Sequence, residues 1–151
     1  MANTIHLINK QYISTNILIS KLEKAAQQLK FQFRQFDNDY PINIHIFNED
    51  NELLDIFIRD LAGYNRSFNN LYGINDYGIL IDIDYHKDEK TIVPFLREIL
   101  KEMPELLVYD EETPKGIDCY VYNKQFFDSN QGTDYYAIMD KNPPKNLNDL
   151  A

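Results

Sequence analysis

Residues 77–86, Tyr-Gly-Ile-Leu-Ile-Asp-Ile-Asp-Tyr-His, constrain the fold more than any other stretch of the chain. Ile79, Ile81 and Ile83 fall on one side with Tyr77 and Tyr85, while Leu80, Asp82, Asp84 and His86 fall on the other. Successive strand side chains point to opposite faces, so this alternation predicts a strand with one apolar and one polar face. Such a strand suits an antiparallel sheet, which can keep one face polar. Its apolar face must then be covered, and the other periodicities of the chain show by what.

Leu18, Leu22, Ala25, Leu29 and Phe33 recur at helical spacing behind a Ser14 or Thr15 cap, predicting a first helix closed by Asp37-Asn38-Asp39 and Pro41. Ile92, Leu96, Ile99, Leu100 and Met103 predict a second over 91–103, with Pro94 in its first turn and Pro104 as its stop. Strands are predicted at 5–9, 42–47, 106–109 and 117–122. Residues 53–59 fit a helix ending at Gly63 or a strand. The turn Asn48-Glu49-Asp50-Asn51 suits a hairpin and tips the balance to the strand. Residues 64–76 read as a loop. The order predicts an α+β fold: an antiparallel sheet of ferredoxin-like, split β-α-β type with two main helices packed on one face. It is expected as a single domain over 1–140, followed by a loose C-terminal tail over 141–151.

The net charge is −9, unevenly spread. Residues 1–36 carry Lys10, Lys21, Lys24, Lys30 and Arg34 against Glu23, a balance of +4, which leaves −13 for the rest. That larger part would repel a nucleic-acid backbone and attract a basic partner. The basic face of the first helix reads as a solvated face. The start of the chain lacks the charged flank and long apolar core of a signal peptide. No apolar run reaches the length of a membrane span, and Cys119 has no second cysteine to pair with. A cytoplasmic protein that does not act on membranes is expected.

Asp82, Asp84 and His86 form the sharpest constellation of chemistry-bearing residues, since a strand places all three on one face. His45 would join them if its strand were adjacent, and hard divalent ions accept such ligands. A polar strand face explains the same pattern without a metal. No serine carries a nucleophile motif, and Cys119 shares a strand face with Ile117 and Val121, as a small core residue does. The five glycines never cluster into a phosphate cradle. No enzyme, cofactor or metal site is therefore expected. What remains is acidity interleaved with tyrosine, a residue enriched where interfaces concentrate their binding energy. Asp82, Asp84, Tyr85, Tyr109, Asp110, Glu111, Glu112 and Tyr120 are the expected partner-binding set.

Gly73-Ile74-Asn75 precedes the strand at 78–85, and Met103-Pro104-Glu105-Leu106-Leu107-Val108-Tyr109 follows the second helix. With its acidity and its wealth of Asn, Ile and Tyr, the chain resembles bacterial immunity proteins of polymorphic or contact-dependent toxin systems. The resemblance spans about the central half of the chain and transfers no site residue. It implies a protein that neutralises a cognate toxin, a basic and in such systems often nuclease domain, by covering its active site. Two other readings are an acidic nucleic-acid mimic that inhibits a DNA-binding enzyme, and a small metal-dependent enzyme built on Asp82, Asp84 and His86.

Overall fold

The computed structural model describes residues 3–9, 11–39, 41–49, 51–59, 78–85, 89–109, 120–130, 132 and 145–146. Along these the chain forms β1 (Asn3–Asn9), α1 (Thr15–Gln28), β2 (Gln32–Gln35), β3 (Ile42–Phe47) and β4 (Glu52–Ile58). It continues as β5 (Ile79–Tyr85), α2 (Glu89–Glu102), β6 (Leu107–Tyr109), β7 (Tyr120–Tyr122), α3 (Lys124–Ser129) and β8 (Lys145–Asn146). The fold is α+β. Its strands join one sheet in the order β2-β3-β4-β5-β1-β6-β7-β8, and every neighbouring pair is antiparallel. Residues 53–58 are strand, as the hairpin turn implies. None of the described helices is long and apolar enough to cross a membrane.

Ser14 caps α1 by accepting from the backbone N–H of Ile17. The helix stops earlier than its apolar spacing implies. Lys30 takes a left-handed φ of 61°, its N–H donates to Gln27 O at 3.0 Å, and the Phe31 N–H donates to Ala26 O at 2.9 Å. This paired closure satisfies the last carbonyls of the helix and turns the chain. Phe33 thus sits in β2 rather than on α1. Helix α2 begins at Glu89, so Pro94 lies beyond its first turn, where it withholds the amide that would bond Lys90 O.

One face of the sheet carries the core. Ile5 and Leu7 of β1, Ile44, Ile46, Leu54 and Ile56 of the β3–β4 hairpin, and Ile81 and Ile83 of β5 are fully buried. They share one apolar cluster with Leu18 and Leu22 of α1, Phe95, Leu96 and Ile99 of α2, and Phe127 of α3. The basic residues of α1 have a structural use: Lys21 and Lys24 reach Glu102 of α2 at 3.2 and 3.1 Å, tying helix to helix over the core. Gly78 is required by space. Its N–H donates to Asn9 O at 2.7 Å, and a Cβ there would lie 2.3 Å from the backbone nitrogen of Tyr12.

Candidate functional site

The face opposite the core cluster carries the polar chemistry, in two adjacent rows fixed by strand register. The first row runs Asn43, Phe57, Asp82, His6, Tyr109 and Val121 across β3, β4, β5, β1, β6 and β7. Asp82 is 4% exposed. One carboxylate oxygen lies 2.6 Å from His6 Nδ1 and the other accepts from Arg59 Nε at 2.8 Å. A buried carboxylate needs such partners, because leaving water unpaired costs several kcal/mol. The His6 ring stacks on Tyr109 with centroids 5.7 Å apart, and the Arg59 guanidinium lies 5.0 Å from the Phe57 ring centre. The row is a braced charge network inside the fold.

The second row runs Arg34, His45, Asp55, Asp84 and Thr4 across β2, β3, β4, β5 and β1. Thr4 donates its hydroxyl to Asp84 Oδ1 at 2.6 Å. His45 lies between two carboxylates, with Nδ1 2.8 Å from Glu52 Oε1 and Nε2 3.2 Å from Asp55 Oδ1. Asn43 completes this group: its Oδ1 lies 2.9 Å from His45 Nε2, and its amide donates to Asp55 Oδ1 at 2.6 Å and to Ile56 O at 3.2 Å.

A one-residue irregularity between Ile46 and Phe47 and their β4 partners assembles this group. Phe47 pairs with Glu52 but Ile46 pairs with Leu54, so Leu53 is the extra residue. An extra residue reverses the side-chain alternation beyond it. Leu53 and Leu54 are both buried in consequence, and Asp55 lies on the polar face opposite His45.

Beside His45 an open recess of about 300 Å³ is lined by Arg34, Phe36, His45, Phe47, Asn48, Glu49, Asn51 and Glu52. It lies at the β2 edge of the sheet. Phe36 is 52% exposed there and meets the His45 ring edge-on at 4.4 Å. The Arg34 guanidinium carbon stands 5.9 Å from the ring centres of both Phe36 and Phe47, within cation–π range.

The residues expected from the sequence to bind a partner are distributed differently. Asp82, Tyr85 and Tyr109 are buried. Tyr85 lies on the core face, and Asp82 and Tyr109 belong to the internal row, so in this conformation their side chains brace the sheet. Asp84 is half-buried and bonded to Thr4. Tyr120 opens β7. Asp110, Glu111 and Glu112 lie outside the described residues, as do Cys119, the resemblance-bearing Gly73-Ile74-Asn75 and the tail beyond 146. The constellation Asp82, Asp84 and His86 is not seen as one unit: both Asp82 oxygens are engaged by His6 and Arg59, and His86 lies outside the described residues. His45 is separated from β5 by β4, so it meets Asp55 rather than Asp82.

His6, Arg59, Glu52 and Asp55 were not singled out by sequence pattern. His6 sits in an apolar run, and Arg59 ends a strand whose alternation carries no chemical signal. Compared with known proteins, the chain matches no family model, and neither a curated protein nor a solved structure is significantly similar to it.

Proposed function

We propose that this chain is a partner-binding protein of the immunity type, an acidic cap for a cognate basic protein toxin, acting in the cytoplasm and without catalysis of its own. The observation that carries the reading is the recess at the β2 edge, where the exposed ring of Phe36 stands near the carboxylates of Glu49 and Glu52. An aromatic anchor beside acidic groups is what a basic protein surface requires: the ring supplies buried area and the carboxylates select positive charge. The net charge of −9 adds long-range attraction for the same class of partner. Behind the recess, paired side chains such as His45, Asp55 and Asn43 hold its floor in one arrangement, which lowers the ordering cost of binding. The ferredoxin-like reading belongs to the same proposal. It is supported by β5 and β6 flanking β1 antiparallel with α2 between them in sequence, and by α1 and α2 sharing one core cluster.

The test is co-expression with the toxin domain encoded by the neighbouring reading frame. Rescue of growth and co-purification are expected, with Phe36→Ala and Glu49→Lys each weakening the complex at least tenfold. A folded protein that neither binds nor rescues would overturn the reading.

A further inference from the structure

We propose that His45, Asp55 and Asn43 form a binding site for a divalent transition-metal ion, with Glu52 orienting the imidazole from behind. An imidazole has two ring nitrogens that diverge within the ring plane, so only one can face an ion. Glu52 is 2.8 Å from Nδ1, and an ionised carboxylate only accepts, so that contact uses the Nδ1 hydrogen. This is the arrangement in which metal-binding histidines are held: a carboxylate on one nitrogen fixes the tautomer and aims the other. Nε2 then points at two oxygens, Asn43 Oδ1 at 2.9 Å and Asp55 Oδ1 at 3.2 Å.

Those separations suit a small ion. Donors bonded at about 2.1 Å stand about 3.0 to 3.4 Å apart around one centre, from octahedral to tetrahedral geometry. An ion at this point would take the Nε2 lone pair together with the two oxygens that face it. Around the group, His45, Glu52 and Asp55 offer ligand atoms all within 4.8 Å of one another. Asp84 faces Asp55 from the next strand, and two like charges directly opposite in a sheet are destabilising unless a cation offsets them. Arg34, paired with His45 from β2, directs its charge toward the Phe36 and Phe47 rings.

The donor set decides the class of metal. One imidazole nitrogen with carboxylate and amide oxygens favours Zn²⁺ over Mn²⁺ by the usual order of stabilities, and gives Mg²⁺ little advantage over water. Side chains of His45 and Asp55 are 28% and 22% exposed, so an ion has an entry path and solvent can complete its shell. The site does not depend on the toxin-binding reading, because its ligands lie within this chain.

Isothermal titration of the full-length protein with ZnCl₂, MnCl₂ and MgCl₂ tests the proposal. One equivalent of Zn²⁺ should bind, Mn²⁺ should bind at least tenfold more weakly, and Mg²⁺ should give no heat at 1 mM. His45→Gln and Asp55→Asn should each weaken Zn²⁺ binding at least thirtyfold, and Glu52→Gln about tenfold to a hundredfold, as loss of an outer-shell partner does. Cys119→Ser and His86→Gln should leave it unchanged. Far-ultraviolet circular dichroism checks that each variant is folded, and Glu52→Gln keeps the test decisive if His45→Gln is not. Zinc affinity that survives in folded Asp55→Asn and Glu52→Gln, or no Zn²⁺ binding at 1 mM, would overturn the site.

Discussion

Removing the carboxylate of Asp82 isolates the buried charge network from the rest of the fold. Asp82→Ala deletes two charge-assisted hydrogen bonds, to His6 at 2.6 Å and Arg59 at 2.8 Å, each worth about 1.5–3 kcal/mol. The two losses are unequal. The Arg59 side chain is 27% exposed and can turn to water, whereas the His6 side chain is 5% exposed and stays inside. Arg59 therefore contributes the lower end of the range and His6 the upper, giving a cost of about 4.5 kcal/mol, consistent with breaking a buried pair from one side. An unfolding entropy of about 2.1 cal/mol/K per residue gives about 0.32 kcal/mol per kelvin for 151 residues, so the melting temperature should fall by about 14 °C. Asp82→Asn keeps the volume and one acceptor, and should cost about half as much. Urea unfolding with the m-value held constant measures the difference. A double-mutant cycle with Arg59→Ala should return a coupling above about 1 kcal/mol. An Asp82→Ala protein within 1 kcal/mol of wild type by the same urea titration would refute the reasoning, since the network would then contribute nothing to stability.

Three further perturbations probe other parts of the fold. Lys30→Gly should raise stability by about 0.5–1 kcal/mol in thermal melts, because glycine meets the left-handed φ of 61° without the Cβ penalty while costing some unfolded-state entropy; an unchanged or lower melting temperature would count against the closure described for α1. Gly78→Ala should cost at least about 2 kcal/mol, because its Cβ would meet the Gln11–Tyr12 backbone, which has no flexible end to move aside; a neutral outcome in chemical denaturation would show that this crossing is loose. Glu102 is held below its ordinary value of 4.5, first by the hydrogen bond from Lys24 and then by that from Lys21. A depressed carboxyl contributes stability that is complete above the unfolded pKa and disappears as pH falls through the folded one. The stability gap between wild type and Glu102→Gln should thus be flat at neutral pH and close as pH drops below about 4.5; a gap that persists at pH 2 would locate the effect elsewhere.

The elements themselves were largely legible. Alternation at 42–47 and 79–85 identified two central strands, and helical spacing located α1 and α2, because burial on one side imposes those periods wherever the elements end up. The end of α1 was not legible: Leu29 and Phe33 continue its spacing, and only the left-handed turn at Lys30 shows that the second of them belongs to a strand. Helix α3 and the short strand β8 left no periodic signal, being too brief to carry one.

The candidate site was harder to read for a related reason. Sequence placed His45 and Asp82 on polar strand faces. It carried no information on which polar residues meet. Asp82 meets His6 across 76 positions of sequence, through the pairing of β1 with β5. Asp55 reaches His45 only because Leu53 is an extra residue in β4, reversing the face of everything after it. Periodicity is a local property, written residue by residue and set by burial. Register is a property of two strands together, and a shift of one residue exchanges a core position for a site position.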